Sequence, residues 1–292
     1  MRRFALFALL IGASHSVSSA TGGGVTVLDD AGHKIALTHT PQRIVSTAPG
    51  ATEMLFAAGA GARVIATVEY SDEPPEAKKV PRIGDSNAVD LERIVALRPD
   101  VVVVWEGGNN VAQITRLENL KLPVYRHKVE RLYDIPMSLR RLGALTDTRA
   151  AAENAARDVE ARLAALEKRY GQAADPPTVL LEVWNRPIYT VGGSHMMTDS
   201  LRLCGARNVF ADLKEQGPSV DTEAVIGRDP QIIVAVAPPG VSQDWLAEWK
   251  RFTTLRAVRD NRLVPFEDQR LSRLGPSAVG GTEALCDAIH RK

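Results

Sequence analysis

One stretch in the middle of the chain constrains the fold more than any other. From about Thr148 to Ala173 the sequence has no Pro, has no Gly before Gly171, and is rich in the strong helix formers Ala, Leu, Glu, Arg and Lys. A helix of roughly 25 residues is about 37 Å long. Apolar residues recur at steps of three and four, which is typical of an amphipathic helix, at Ala152, Ala155, Val159, Leu163, Leu166 and Tyr170. The segment predicts a rigid strut between two lobes; a long surface helix of a single α/β domain is the alternative.

Short apolar strands alternate with helical segments on both sides of this helix. They are predicted at 44–46, 64–68, 101–105 and 124–127 before it, and at 178–184, 232–236 and 264–266 after it. Such alternation favours parallel sheets covered by helices, so we predict two Rossmann-like α/β lobes joined by one long rigid helix. The predicted segments are a signal peptide at 1–20, an N-terminal lobe with a leading hairpin at 21–135, a helical linker at 136–176 and a C-terminal lobe at 177–292.

The two halves of the sequence also resemble each other. Asp90-Leu91-Glu92 and Asp221-Thr222-Glu223 each precede an apolar strand. In both halves a proline, Pro99 or Pro230, stands seven residues after the Glu and two residues before the strand. A second pair of motifs is Thr52-Glu53 before Ala58-Gly59-Ala60 and Thr198-Asp199 before Cys204-Gly205-Ala206. Two such pairs in the same order, at unequal offsets, favour two similar lobes over a tandem solenoid.

The N-terminus has the pattern of a secretory signal peptide. A basic start at Met1–Arg3 is followed by an apolar run at Phe4–Ile11 and by small residues at Val17–Ala20, where a signal peptidase would cut. The apolar run is too short for a membrane anchor. Cleavage removes two of the 36 basic residues against 35 acidic ones, for a mature net charge of −1. We therefore expect a soluble, monomeric periplasmic protein, with no nucleic acid or anionic membrane as partner.

Cysteine usage agrees with export. The sequence contains two cysteines, Cys204 and Cys286. In an exported protein an even pair indicates one disulfide, and two buried free thiols are the alternative. Closing a loop of about 80 residues would contribute ~2–4 kcal/mol of stability.

No motif of an enzyme is present. The sequence lacks a Walker loop, a nucleophile elbow and an HExxH helix, and no catalytic set or cofactor site is predicted. His127 and His195 belong to different lobes and are weak candidates for metal ligation, since a lone His is more often hydrogen-bonded within the protein. Two alternatives stay open: a periplasmic chelatase or hydrolase on the same scaffold, and a transition-metal scavenger that uses both histidines with a carboxylate.

Aromatic and basic residues gather near the predicted strand ends, where α/β lobes bind ligands. Flat aromatic faces suit a large, partly apolar ligand, and guanidinium groups suit its carboxylates, phosphates or amides. The alternative for each aromatic residue is that it only covers a core edge. The residues concerned are Tyr70, Trp105, Trp184, Tyr189, Arg126, Arg186, Arg270 and Arg273.

Glu92 and Glu223 occupy matched positions in the two halves. Each stands in the first turn of a predicted helix behind an Asp, where a negative charge complements the helix dipole by ~0.3–1 kcal/mol. That role is sufficient for either residue alone. Their matched positions further predict a pair of acidic contacts, one per lobe, for a partner that is itself two-fold symmetric.

Several motifs of the chain also carry a family resemblance. They are Asp30-Ala31-Gly32, Pro41–Ser46, Tyr70–Pro75, Leu91–Asp100, Trp105–Gly108 and Cys204–Phe210. Together they resemble the substrate-binding proteins of ABC importers, and within these the cobalamin-binding members. The resemblance covers nearly all of the chain after the signal peptide. It implies the class III binding-protein fold, a ligand held between the lobes, and delivery to a permease dimer with its ATPase.

The resemblance also implies roles for individual residues. Glu92 and Glu223 would dock onto arginines of the two permease subunits, and Cys204 would pair with Cys286. Ser86 and Gly217 stand where the cobalamin-binding members have tryptophans, so two aromatic walls are missing. The implied ligand is a corrinoid, with haem or a ferric siderophore as alternatives. The predicted ligand-binding set is Tyr70, Ser86, Trp105, Trp184, Tyr189, Gly217, Arg270 and Arg273.

Overall fold

The computed structural model describes residues 23–171, 174–237 and 240–291, so the predicted signal peptide at 1–20 lies outside the described residues. The strands before the long helix are β1 (Val25–Leu28), β2 (Lys34–Leu37), β3 (Ile44–Ser46), β4 (Val64–Ala66), β5 (Val101–Trp105) and β6 (Val124–His127). The helices there are α1 (Pro49–Ala57), α2 (Leu91–Ala96) and α3 (Val111–Asn119), with 3-10 turns at Gly61–Arg63 and Pro75–Lys79.

The N-terminal lobe is built on a parallel sheet, as predicted. β1 and β2 form the leading antiparallel hairpin, and the parallel sheet has the order β4-β3-β5-β6. Both faces of this sheet are buried. Ile44, Val101 and Val103 pack on one side, while Val45 and its neighbours in the adjacent strands pack on the other. The continuous apolar runs of these strands follow from this double burial.

The C-terminal lobe repeats the arrangement. Its strands are β7 (Thr178–Glu182), β8 (Trp184–Asn185), β9 (Ile188–Tyr189), β10 (Arg207–Asn208), β11 (Ser219–Val220), β12 (Ile232–Val236) and β13 (Leu263–Phe266). A parallel sheet has the order β10-β7-β12-β13, and a small antiparallel sheet has the order β11-β9-β8. The helices are α6 (Met196–Leu203), α7 (Thr222–Arg228), α8 (Arg256–Arg259) and α9 (Ser277–His290), with 3-10 segments at Asp244–Arg251 and Gln269–Ser272. Between β6 and β7 the chain forms two further helices, α4 (Ile135–Thr146) and α5 (Arg149–Tyr170), which connect the lobes.

The connection contains two helices, where the sequence analysis predicted one. After a 3-10 turn at Leu132–Asp134, α4 (Ile135–Thr146) runs into a tight turn, and α5 (Arg149–Tyr170) follows it. Asp147 adopts a left-handed conformation with φ of 53°, which ends α4 and lets the chain reverse. Gly143 lies against α5, because a Cβ there would come within 2.3 Å of Cβ of Ala152. The predicted linker at 136–176 is therefore a helical hairpin.

The long helix α5 has 22 residues and carries the predicted apolar stripe. Its buried positions are Ala152, Ala156, Val159, Leu163 and Leu166, so that Ala156, in place of the predicted Ala155, is the fully buried member. These side chains share one apolar core with Ile44 and Val101 of the first lobe and with Met196 and Val279 of the second. The helix is thus packed against both lobes and restrains their relative position.

The predicted disulfide is present in the C-terminal lobe. Cys204 at the end of α6 and Cys286 in α9 are bonded, with Cα atoms 4.8 Å apart and a sequence separation of 82. Both cysteines are fully buried in the core of that lobe. The bond fastens the last helix of the chain to α6. Within the described residues, no helix is long and apolar enough to cross a membrane.

Candidate functional site

The two lobes enclose a cleft of about 580 Å³, hereafter the inter-lobe cleft. Its N-terminal wall is formed where β3, β5 and β6 end, at the carboxyl edge of the parallel sheet, which is the usual ligand-binding edge of α/β folds. Its C-terminal wall is the segment from Gln269 to Leu274. The lining residues are Ala48, Pro49, Gly50, Ala51, Tyr70, Ser86, Asn87, Trp105, His127, Gln269, Ser272, Arg273 and Leu274.

Two aromatic side chains flank the inter-lobe cleft. Tyr70 is 76% exposed and is held in a left-handed backbone conformation with φ of 62°, which is uncommon for a bulky residue and concentrates at functional sites. Trp105, at the end of β5, packs over Gly108, since a Cβ on that glycine would lie 2.0 Å from the indole ring. The two rings give the cleft the flat apolar surfaces that the sequence analysis predicted.

Asn109 holds three segments of the cleft wall together. Its side-chain oxygen accepts hydrogen bonds from the backbone N–H of Trp105 at 2.6 Å and from the hydroxyl of Thr47 at 2.7 Å. Its amide nitrogen donates to the carbonyl oxygens of Thr47 at 3.0 Å and Ser86 at 2.6 Å. Asn109 is buried, so these bonds are shielded from water. The loops that carry Trp105 and Ser86 are therefore fixed relative to each other before any ligand arrives.

Arg273 supplies the positive charge of the inter-lobe cleft. One terminal nitrogen of its guanidinium, Nη1, is buried and has no hydrogen-bond acceptor among the described residues. A buried donor without a partner costs free energy, and a ligand oxygen would satisfy it. The neighbouring Arg270, by contrast, donates to Asp268 through Nε and Nη2, at 2.9 and 2.6 Å, and it is not among the residues that line the cleft.

The structure brings half of the predicted ligand-binding set into the cleft lining: Tyr70, Ser86, Trp105 and Arg273. Trp184 and Tyr189 form a cross-strand pair in the small antiparallel sheet and are 50% and 39% exposed. Gly217 is exposed just before β11, and an added Cβ would meet no atom within 4 Å. These residues and Arg270 lie outside the cleft lining, so their part in binding stays a prediction.

The two histidines have structural contacts. His127 is fully buried; its Nδ1 lies 3.1 Å from Asp30 and 3.2 Å from Ser138, and its Nε2 lies 3.3 Å from the carbonyl oxygen of Leu274. Burial opposes ionisation of Asp30, but hydrogen bonds from His127, Ser138 and the backbone of Lys128 outweigh it and lower the pKa of Asp30. His127 thus anchors the end of β6, and its edge borders the cleft.

His195 lies apart from His127 and caps α6. Its Nδ1 accepts a hydrogen bond from the backbone N–H of Met197 at 3.1 Å, and burial lowers its pKa to about 4, so the ring is neutral at pH 7. The described residues contain no group of three or more His, Cys, Asp or Glu side chains arranged to hold a metal ion. Both histidines are engaged within the protein, His127 with Asp30 and Ser138 and His195 with the backbone of Met197.

Glu92 and Glu223 occupy equivalent places, one in each lobe. Each stands in the first turn of its helix, α2 or α7, behind an Asp whose carboxylate accepts a hydrogen bond from the helix backbone: Asp90 from Arg93, and Asp221 from Ala224. Neither glutamate forms an ion pair with any residue that the structure describes. Both carboxylates are thus available to a partner.

Comparison with known proteins identifies the family. Residues 44–269 match the model of a family described as periplasmic binding protein. The chain belongs to this family. The binding protein is 32% identical over 85% of its length to a protein of Pectobacterium atrosepticum named vitamin B12-binding protein, of which 88% is covered.

Solved structures of periplasmic binding proteins have the same fold as this binding protein. It superposes on the periplasmic vitamin B12-binding protein of Vibrio cholerae with a TM-score of 0.77 and 28% identity, covering 86% of this chain and 97% of the other. A periplasmic haem-binding protein from Pseudomonas aeruginosa matches with a TM-score of 0.72 and 25% identity, covering 86% and 93%. The predicted class III fold of two lobes is confirmed.

Sequence reasoning missed several residues of this binding protein's cleft. Asn109 follows the motif Trp105–Gly108 and carried no signal beyond a turn propensity, yet it joins three segments of the wall. Gln269, Ser272 and Leu274 flank the predicted arginines, and only the 3-10 turn at Gln269–Ser272 brings them to the opening. If that turn had been predicted, the closeness of these residues to Arg270 and Arg273 in the sequence would have placed them in the cleft wall.

Proposed function

We propose that this periplasmic binding protein captures a corrinoid in the inter-lobe cleft and delivers it to an ABC importer. Relatives that carry the name vitamin B12-binding protein match most of its length, which supports the ligand class. The observation that carries the proposal is the composition of the cleft: Tyr70 and Trp105 offer flat apolar faces, and Arg273 offers a buried donor that has no acceptor in the part of the chain that the structure describes. A corrin ring is broad and flat, and carbonyl oxygens on its edge would accept from Arg273.

The small antiparallel sheet would supply the opposite wall. Trp184 and Tyr189 are directly paired and share one face of that sheet, with Ser219 opposite Tyr189. Paired residues of antiparallel strands point to the same side, so this face presents two adjacent aromatic side chains. Gly217 stands next to it with open space for a side chain. The ligand edge that extends beyond the cleft would contact this face.

Delivery would use the two acidic contacts. Glu92 and Glu223 stand at matched positions of the two lobes, and we propose that each pairs with an arginine of one subunit of a dimeric permease driven by an ATPase. The N-terminal pattern of a signal peptide and the family support a periplasmic location, where the protein would act as a soluble monomer. No bond is made or broken in this function, and the family is one of binding proteins.

Haem is the second candidate, because the P. aeruginosa neighbour is a haem-binding protein. A haem iron needs an axial ligand such as His or Tyr. His127 is committed to internal hydrogen bonds, which leaves Tyr70, 76% exposed, as the available side chain of the cleft. A ferric siderophore would rely on Arg273 in the same place. The aromatic walls fit all three ligands, and the relatives favour the corrinoid.

Calorimetric titration with cobalamin, cobinamide, haemin and a ferric siderophore, side by side, tests the proposal. We expect saturable one-to-one binding of cobalamin or cobinamide, and weaker or no binding of the other two. Trp105→Ala should weaken corrinoid binding by about tenfold or more, because a buried aromatic anchor typically contributes 2 kcal/mol or more. Haemin as the tightest ligand, lost in Tyr70→Phe, would instead establish the second candidate.

A further inference from the structure

A second cavity of about 590 Å³ lies in the C-terminal lobe. Its floor is Glu182, the last residue of β7, so it too stands at the carboxyl edge of a parallel sheet. Ile188 and Val220 line it and are paired across β9 and β11. Because successive side chains of a strand point to opposite faces, Tyr189 and Ser219 face away from it. The small sheet therefore lies between the second cavity and Tyr189, while the ring of Trp184 lies 6.4 Å from that of Trp245 at the cavity wall.

Glu182 is an unusual group to find at the base of a cavity. Its side chain is 1% exposed. One carboxylate oxygen accepts a hydrogen bond from the indole nitrogen of Trp249 at 2.9 Å, and this is the sole donor that the described part of the chain supplies to the carboxylate. A buried carboxylate with a free oxygen is costly unless a positive charge or a donor meets it. The second carboxylate oxygen of Glu182 is therefore available to a hydrogen-bond donor or a positive charge that the described residues do not supply.

The walls of the second cavity are aromatic. Trp245 and Trp249 line it together with Phe252, whose ring lies 5.8 Å from that of Trp249. The indole nitrogen of Trp245, a residue of the cavity wall, is buried and has no acceptor among the described residues. Indole faces attract cations strongly, more so when water is excluded.

The charges around Glu182 favour a cation. Asp221 and Glu223, at the start of α7, line the second cavity. Glu248 and Arg251 of the 3-10 segment Asp244–Arg251 line it as well, and so does Arg186 from the turn after β8. Arg186 is neutralised by Glu248 at 2.7 Å, and the guanidinium of Arg251 lies over Phe252 at 4.7 Å. Four acidic side chains against two basic ones leave a negative excess.

We infer that the second cavity is a binding site for a small organic cation, one bearing an ammonium or guanidinium group. The cation donates to the free oxygen of Glu182 and lies against the indole rings of Trp245 and Trp249. The acceptor that the Trp245 indole N–H lacks is supplied by a polar atom of the same ligand or by water that enters with it. The site is distinct from the inter-lobe cleft, because the two cavities share no lining residue.

Titration of the whole protein with methylguanidinium tests the inference, with N-methylurea as a neutral probe of similar shape. Calorimetry and tryptophan fluorescence should show saturable binding of methylguanidinium and none of N-methylurea. Glu182→Gln, which keeps the volume, should weaken binding by about tenfold or more. Trp105→Ala, in the inter-lobe cleft, should leave it unchanged. Circular dichroism and thermal unfolding show whether each variant is folded.

Proton release gives a second readout. Burial, and less strongly the charge of Glu248, raises the pKa of Glu182 to about 7, while the hydrogen bond from Trp249 acts in the opposite direction and lowers it. A cation that binds the ionised carboxylate therefore releases part of a proton at pH 7, and the heat of binding should differ between phosphate and MOPS buffers, which have different heats of ionisation. The difference should vanish in Glu182→Gln. Equal binding of the two probes, unchanged binding by Glu182→Gln, or no saturable binding would each overturn the inference.

Discussion

The carboxylate of Glu53 in α1 accepts two hydrogen bonds from Ser277 of α9, from its backbone N–H at 2.5 Å and from its hydroxyl at 2.7 Å. The two residues belong to different lobes, and Glu53 is buried. In a second hydrogen bond between the lobes, the acceptor belongs to the C-terminal lobe: the carboxylate of Asp199 in α6 accepts from the backbone N–H of Leu132 at 3.0 Å. Glu53 and Asp199 are the acidic members of the repeated motif, so the two lobes fasten to each other through equivalent positions.

This arrangement predicts the effect of removing Glu53. Glu53→Ala leaves the backbone N–H and hydroxyl of the half-buried Ser277 without their acceptor, which should lower the free energy of unfolding by about 2 kcal/mol. Ser277→Ala removes only the hydroxyl and should cost about half as much. Urea unfolding followed by circular dichroism measures both. Wild-type stability of Glu53→Ala would mean that the bridge does not hold the lobes together.

The missing aromatic walls give a second prediction. Ser86 lines the inter-lobe cleft, so Ser86→Trp would add an aromatic ring to its wall. Gly217 has open space around it, so Gly217→Trp can add a ring without displacing a neighbouring residue. A stacked ring is worth ~0.5–1.5 kcal/mol beyond its buried area, so each change should tighten cobalamin binding severalfold. Calorimetric titration measures the gain. Ser86→Ala is the matched control, and unchanged binding by both tryptophan variants would show that these positions do not face the ligand.

Docking on the permease gives a third prediction. The double variant Glu92→Ala with Glu223→Ala should keep its cobalamin affinity, because neither residue lines the inter-lobe cleft, while uptake by cells should fall sharply. Uptake of labelled cobalamin by a strain that lacks its own binding protein measures this. The control is Glu76→Ala with Glu283→Ala, which removes two glutamates elsewhere. Normal uptake by the docking variant would contradict the role of the matched pair.

The pH dependence of stability follows from Glu182. Because its pKa in the folded protein, about 7, lies above the usual value of 4.5, its stabilising effect is complete below pH 4.5 and is lost as pH rises through 7. Glu182→Gln does not titrate. Between pH 5 and pH 8 the wild type should therefore lose about 2.5 kcal/mol of stability relative to Glu182→Gln. Urea unfolding at a series of pH values measures the difference, and parallel curves for the two proteins would contradict it.

Much of the fold was predictable because its signals are local. The apolar runs of β3, β5 and β12 and the periodic pattern of α5 follow from burial on two faces and on one stripe. The disulfide followed from export and an even count. The reversal at Asp147, which turns the predicted single linker into a hairpin, rests on one residue in a left-handed conformation, and the pattern of apolar residues does not report that.

The site was predictable in part for the same reason. Residues at the ends of predicted strands, such as Trp105, could be placed at the ligand-binding edge from the alternation of strands and helices. The bridges of Glu53 and Asp199 could not, because each joins residues far apart in the sequence: Glu53 and Ser277 are separated by 224 positions. The role of Glu182 depends on its burial and on a tryptophan 67 residues away. Such contacts exist only in the folded protein, the first two between the lobes and the third within the C-terminal lobe.

A crystal structure of the protein with cyanocobalamin bound is the most direct test of the central claim. We expect the corrin ring between the two lobes, against Tyr70 and Trp105, with Arg273 donating to a ligand oxygen. Density for the ligand elsewhere on the molecule, or protein crystallised with excess cobalamin whose inter-lobe cleft holds none, would contradict the account.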